Sequence, residues 1–260
     1  MAPIPLQAGW LYGPVDSRRY GRSLGINPLP VDRKLCSLDC LYCQYGFTKA
    51  QQVAGRAEVP SASDLASAIE AKFAALVAAD DPPDRITVAG NGEPTLHPEF
   101  EKFSADLAKA RDQYFPNAQL GILCNGMHLD RPGVLSALNK IYDEPAMKLE
   151  WGNAACFAAM NQVGENGFEK ILTGLQQIDS FVVQALFMQS PLADNSSDAE
   201  VASWVEVLRS LKSRIRHVEI YSLDRPPADA AQATAVPRVR LDAIADCARA
   251  IGLSVEVFTR

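Results

Sequence analysis

Cys36, Cys40 and Cys43 lie in the run CSLDCLYCQYG with Cys-x3-Cys-x2-Cys spacing, a local cluster of three thiols. Thiols gathered this closely suit a soft metal centre, and the competing readings separate by ligand count. A disulfide takes cysteines in pairs, leaves one over, and is disfavoured in a reducing compartment. A structural zinc ion asks for four tetrahedral ligands, and no neighbouring His or Cys supplies the fourth at the usual spacing. An iron–sulfur cluster normally takes four thiolates. Held by three, it keeps one iron open to a further ligand, which is what a catalytic cluster needs. Zinc stays the competing reading at this point.

Other residues carry polar chemistry into apolar surroundings. A strand at 85–89 runs into the turn GNGEPTL (90–96), whose glycines allow a close approach of backbone to a ligand. Taken alone this is an ordinary Gly/Pro turn. In 146–151, Met147, Leu149 and Trp151 share one face of a strand, while Lys148 and Glu150 share the other. In 217–223, His217, Glu219 and Tyr221 oppose Val218 and Ile220, and Gln184 and Thr87 each interrupt an apolar strand. With the apolar faces packed under helices, these polar groups point into the space the sheet encloses. A filled barrel is apolar there, so a polar lumen fits a bound polar ligand. The alternative is that Lys148 and Glu150 satisfy each other or lie on an exposed edge.

Taken together, these residues resemble the radical S-adenosylmethionine (SAM) superfamily. Residues 36–43 match its cysteine motif, including the aromatic Tyr42 before the third cysteine, and 90–96 looks like its Gly-Gly-Glu motif with Asn91 inserted. The resemblance implies a 4Fe–4S cluster on Cys36, Cys40 and Cys43, with SAM bound to the open iron through its amino nitrogen and carboxylate. One electron then cleaves a carbon–sulfur bond, and the 5′-deoxyadenosyl radical so formed abstracts hydrogen from a substrate. It further implies cofactor contacts from Tyr42, from Gly90, Asn91, Gly92 and Glu93 near the methionine ammonium, and from Asn125 near the ribose or adenine. Lys148 is expected at the methionine carboxylate, Glu150 at the ribose, and Gln184 in the lumen beside them. Cys124 stands where relatives carry a hydroxyl residue. The stretches GPVDSRRYGRSLGI, GNGEPTLHPEF and YSLDRPPAD are similar to a branch related to the wyosine-base-forming enzymes of tRNA. Such relatives carry a flavodoxin-like domain or additional clustered cysteines, neither of which is expected here, so the resemblance implies the branch and no particular substrate.

Short strands and amphipathic helices alternate around these motifs. Strands are expected at 23–29, 85–89, 120–124, 146–151, 181–188, 217–223 and 254–258. Ser61 with Asp64 forms a capping-box signature, followed by Leu65, Ile69, Phe73, Leu76 and Val77 at helical spacing. Phe100, Phe103 and Leu107 mark a second helix, and Phe168, Ile171, Leu172, Leu175 and Ile178 a later one. Val201, Trp204, Val205, Leu208 and Leu211 follow, then Leu241, Ile244, Ala248 and Ile251, ending at Gly252. This rhythm predicts an α/β fold, a partial, open (βα)6 TIM-like barrel with a parallel sheet, whose ligands gather at the carboxyl ends of the strands. A single domain over 1–260 is expected, with an N-terminal extension at 1–22 and the cluster loop at 34–47. Cys156 and Cys247 read as small core residues on apolar helix faces, His97 as a surface residue, and His217 as lying at the amino end of its strand.

Composition narrows the partners. The 260 residues are 48% hydrophobic and 22% charged, as in a globular enzyme. No apolar run is long enough to span a bilayer, and the first residues lack the basic and apolar regions of a secretory signal, so the cytoplasm is the expected compartment. A net charge of −6 argues against broad capture of nucleic acid and leaves RNA binding to a local patch. Arg18, Arg19 and Arg22, with Arg225 beyond a strand, are candidate contacts to an anionic substrate; a salt-bridged loop is the structural alternative. A reductant such as flavodoxin or ferredoxin is the other expected partner. The competing functions are a metal-stabilised tRNA-binding or tRNA-modifying protein and an electron-transfer iron–sulfur protein.

Overall fold

The structure is a computed structural model that describes residues 5–17, 19–48, 58–228 and 232–259; Arg18 lies outside them. Eight strands form one sheet: β1 (Leu11–Ser17), β2 (Gly21–Ile26), β3 (Arg85–Val88), β4 (Gln119–Cys124), β5 (Glu144–Lys148), β6 (Phe181–Leu186), β8 (Ile215–Tyr221) and β10 (Val255–Phe258). The spatial order is β1-β2-β3-β4-β5-β6-β8-β10. Neighbours from β2 onward pair in parallel, and β1 pairs antiparallel with β2. Between them lie α1 (Ala62–Ala78), α2 (Phe100–Tyr114), α3 (Pro132–Lys140), α4 (Ala154–Asn161), α5 (Asn166–Leu175), α6 (Asp198–Leu211) and α7 (Arg238–Ala250). The sheet is open, with β1 and β10 as its edges, and it is the partial barrel the sequence rhythm predicts.

Helix starts follow their sequence signals. Ser61 accepts the Asp64 backbone N–H while Asp64 reaches back to the cap, and Asn153 and Ser197 cap α4 and α6 through Cys156 and Glu200. The predicted stripes bury Leu65, Ile69, Phe73 and Leu76 on α1 and Leu241, Ile244 and Ala248 on α7. Every residue of β3 and β6 is buried, as expected of parallel strands covered on both faces. No helix among the described residues is long and apolar enough to cross a membrane.

Several expectations are corrected. The extension at 1–22 contains β1 and so enters the sheet, where Pro14 is tolerated because the strand is an edge. The strand expected at 146–151 ends at Lys148. There the Leu149 carbonyl is taken by the Trp204 indole N–H at 3.0 Å and the Glu150 carbonyl by Asn195 at 2.9 Å, so side chains replace the ladder. The strand expected at 181–188 breaks after Leu186, and β7 (Met188–Gln189) pairs instead with β9 (Thr234–Ala235). Val77 and Cys247 are exposed, each at the margin of its helix's apolar stripe. His97 is fully buried, accepting the Glu99 N–H on Nδ1 at 3.1 Å and meeting the Pro60 carbonyl through Nε2 at 2.8 Å.

Candidate active site

The cysteine loop is held at three places. At its start, Leu35 donates its N–H to the Asn91 carbonyl at 2.8 Å and accepts the Glu93 N–H at 2.9 Å, stitching Cys36 to the glycine turn. Gly92 has φ 141°, and a Cβ there would run into the Leu35 carbonyl, so only glycine permits this seam. In the middle, Asp39 and Leu41 donate their N–H groups to the carbonyls of Asn161 and Met160, both at 2.9 Å, so α4 forms a floor under the loop. Inside the loop, the buried Lys34 ammonium donates to the carbonyls of Leu38 (3.1 Å) and Gly46 (2.8 Å) and to Asp39 Oδ1 (3.2 Å). The sequence places Cys156 on an apolar helix face, which is α4, but shows neither that this helix floors the cysteine loop nor that Lys34 is buried inside it.

The loop faces a cavity of about 200 Å³ whose lining includes Cys36, Cys40, Tyr42, Gly92, Glu93, Asn125, Lys148, Gln184 and Tyr221. Its walls are the carboxyl ends of β3, β4, β5, β6 and β8, where a barrel of this kind binds ligands. Cys43 opens onto an adjoining cavity, which shares Tyr42 and Tyr221 with the first. Gly90 and Asn91 brace the site from behind. A Cβ on Gly90 would meet the Asn27 side chain, and the buried Asn91 amide bonds Gln7 and the Pro30 carbonyl between 2.8 and 3.0 Å. These contacts leave Asn91 no free amide group for a cofactor, in contrast to the contact expected of it.

The acidic and basic groups are paired with one another. Glu93 takes the Thr95 N–H (3.1 Å) and hydroxyl (2.6 Å) on one oxygen and the Asn125 N–H (2.7 Å) on the other; burial pushes its carboxyl up and these bonds oppose that. Its carboxylate thereby joins the turns after β3 and β4. The Asn125 amide donates to Ser37 Oγ at 3.0 Å and lies 3.7 Å from Cys36 Sγ. Lys148 Nζ donates to Cys40 Sγ at 2.9 Å and to Asn161 Oδ1 at 2.9 Å, and pairs with Glu150 at 3.1 Å. Burial alone lowers the pKa of Lys148, but Cys40 and Glu150 hold it above the ordinary value. Glu150 also accepts the Tyr42 hydroxyl and the Leu186 N–H, so it is fully buried yet satisfied. Gln184 donates to Glu219 Oε2 at 2.8 Å and to the Tyr20 hydroxyl at 2.6 Å. Lys148 lines the cavity, and Glu150, fully buried behind it, pairs with it at 3.1 Å, so the two satisfy each other.

The donor set fits an iron–sulfur cluster. Burial pushes the Cys36 thiol up to about 12 and raises that of Cys43, so both are thiols until a metal charge favours thiolate. The positive charge of Lys34 acts on all three cysteines, and amide and ammonium groups already reach two of the sulfurs. Among the described residues no three His, Cys, Asp or Glu side chains close on a single metal ion. His128 and His217 stay apart from the cysteines, His217 lying 3.7 Å from Glu219 in β8. Arg225 is exposed and outside both cavities, whereas Arg19 lines the second; Arg22 is engaged by Asp81 at 2.9 Å.

The chain belongs to the radical SAM superfamily, whose profile matches residues 34–181, from the buried lysine to the start of β6. A UPF0026 protein of Helicobacter pylori is 28% identical over 218 residues, covering 83% of this chain and 67% of that one. Among solved structures, a radical SAM methyltransferase from Sphaerobacter thermophilus superposes with a TM-score of 0.64 at 16% identity, covering 91% of this chain and 65% of that one. Archaeal TYW1 superposes with a TM-score of 0.52 at 12% identity, covering 86% and 70% respectively. At such identities the structural likeness is one of fold. The chain spans about two thirds of the length of the Helicobacter and Sphaerobacter proteins.

Proposed function

We propose that this chain is a radical SAM enzyme in which Cys36, Cys40 and Cys43 hold a 4Fe–4S cluster and SAM occupies the cavity beside them. One observation carries the reading. The cysteine loop, the Gly92–Glu93 turn, Asn125 and Lys148 come from four separate stretches of chain and line one cavity. When bound, the cluster and SAM supply one-electron carbon–sulfur cleavage and a radical that abstracts hydrogen from a substrate.

The residues of the chain bind and orient. Gly92 leaves backbone exposed to the methionine ammonium, because the Glu93 carboxylate is already held by Thr95 and Asn125. Glu150, buried and fixed by the Leu186 N–H, holds Lys148 and the Tyr42 hydroxyl in place, and both of these residues line the cavity. Asn125 keeps an amide on Cys36 and Ser37, which fixes the loop relative to β4. The cavity takes its water exclusion from buried Leu38 and from Leu123 and Ala146, which line it.

Anaerobic reconstitution tests this directly. The reading expects about four irons per chain and, with a strong reductant, conversion of SAM to 5′-deoxyadenosine. Replacing any one of Cys36, Cys40 or Cys43 by Ala should abolish it. Full cleavage by Cys40→Ala would refute the ligand assignment, and zinc with no cleavage in the wild type would refute the enzyme.

A further inference from the structure

We propose that the adjoining cavity is a substrate subsite for an oxyanion, a carboxylate or phosphate group, anchored by the guanidinium of Arg19. The proposal rests on the reading of the first cavity as the cofactor site. This second cavity, of about 350 Å³, is lined by Arg19, Tyr42, Cys43, Tyr45, Tyr221 and Asp224 among others. Its volume is that of a small-molecule site. Tyr42 and Tyr221 form a wall common to both cavities, so a ligand held here lies against the cofactor's own enclosure.

Arg19 reaches this place from the turn between β1 and β2, crossing the open side of the barrel to the far strands β8 and β10. Its guanidinium carbon lies 4.2 Å from the centroid of the Tyr221 ring and 4.8 Å from that of Phe258. The two rings fix a side chain that otherwise carries much rotamer entropy. Its charged partner among the described residues is Glu219 at 3.6 Å, beyond hydrogen-bond reach. Glu219 is itself served by Gln184 at 2.8 Å and by the Tyr20 hydroxyl at 3.3 Å. By contrast, Arg22, Arg85, Arg111, Arg238 and Arg249 each hold a carboxylate at 2.6 to 2.9 Å. Arg19 is thus oriented by stacking and loosely neutralised, with planar N–H donors left for a ligand. A guanidinium fork matches a carboxylate or phosphate in two parallel bonds. Asp224 in the same lining disfavours a polyanion, so a single oxyanion on a small polar molecule is the class that fits.

The test uses the full-length protein and two probes, acetate labelled with 13C at the carboxylate and inorganic phosphate, each followed by NMR line broadening. Saturable binding of one probe identifies the oxyanion as carboxylate or phosphate. Arg19→Gln should weaken that binding about 10- to 100-fold, the loss of a hydrogen-bonded charge pair, and Arg19→Lys should fall between. A measurement on the wild type guards against a folding defect. The bound probe should protect Arg19 from phenylglyoxal, read by peptide mass spectrometry, while exposed Arg225 stays reactive. Equal binding by a folded Arg19→Gln variant, or unprotected Arg19 at saturating probe, overturns the subsite. SAM cleavage, assayed separately without any probe, reports on the cofactor reading, so the two failures are distinguishable.

Discussion

The ammonium of Lys148 lies 2.9 Å from the sulfur of Cys40. Its other donors go to Asn161 Oδ1 and Glu150, so the three N–H bonds of the ammonium are all engaged within the protein. The resemblance assigns Lys148 to the methionine carboxylate, whereas this geometry assigns it to the thiolate. Lys148→Met removes a charge-assisted hydrogen bond from one ligand sulfur. Such bonds are worth about 1.5–3 kcal/mol and strengthen as the cluster gains an electron, so losing one lowers the reduction potential, by less than about 130 mV. A redox titration followed by electron paramagnetic resonance reads this. An unchanged potential with lost SAM affinity would return Lys148 to the carboxylate.

Lys34 is buried, and the cysteine loop wraps around it through Leu38, Asp39 and Gly46. Asp39 also accepts the Thr48 N–H at 2.6 Å, which extends the wrap beyond Cys43. Lys34→Met leaves these acceptors without their donor, and breaking a buried pair costs about 3–5 kcal/mol. The expected outcome is a loop that holds iron poorly: iron content below half of wild type after gel filtration, with new proteolytic cuts confined to the loop. Normal iron content would mean that the three cysteines organise the loop unaided.

Much of this was legible because the strongest signals are local. The Ser61–Asp64 capping box, the stripes of α1 and α7 and the cysteine spacing each follow from a few neighbouring residues. Where the sequence misled, long-range contacts decided. The alternation through 146–151 continues as a strand pattern, but Trp204 and Asn195, some fifty residues on, take the main-chain carbonyls and end β5 at Lys148. His97 reads as a surface residue in the sequence, yet it is buried, with Pro60 and the Glu99 N–H satisfying both ring nitrogens. Asn91 looks like part of a ligand turn, while its amide closes onto Gln7 and Pro30. The α4 floor under the cysteine loop carries no motif, only an N-cap at Asn153 and apolar residues.

Gly92 offers a sharp test of the seam between turn and loop. With φ 141° and the Leu35 carbonyl in the path of any Cβ, Gly92→Ala cannot be accommodated unless the two segments separate. Strain of this sort costs about 1–3 kcal/mol where the backbone is held in place, and more where backbone atoms collide. The variant should therefore lose the cluster and unfold at lower denaturant. Gly164→Ala, where a Cβ meets only the Asn166 side chain at 3.1 Å, is the control and should differ from wild type by less than about 1 kcal/mol. Chemical denaturation of the metal-free proteins compares the two.

Two histidines give the fold opposite pH limbs. The Glu219 carboxylate, 3.7 Å away, raises the pKa of His217, partly opposed by burial and helped by Glu144 and Glu256. Its folded pKa lies above the unfolded value near 6.5, so its contribution is complete below that value and fades as pH rises through the folded one. Burial lowers the pKa of His97, and its ring is held neutral: the Glu99 N–H occupies Nδ1, so Nε2 carries the proton donated to Pro60. Below about 6.5 the unfolded chain takes up a proton that folded His97 resists, and stability falls with pH. Thermal unfolding between pH 5.5 and 8 should therefore decline on both sides of a maximum. His217→Asn should flatten the alkaline limb and leave the acid limb in place. If instead both limbs survive unchanged in that variant, the His217–Glu219 pair is not what makes stability fall as pH rises.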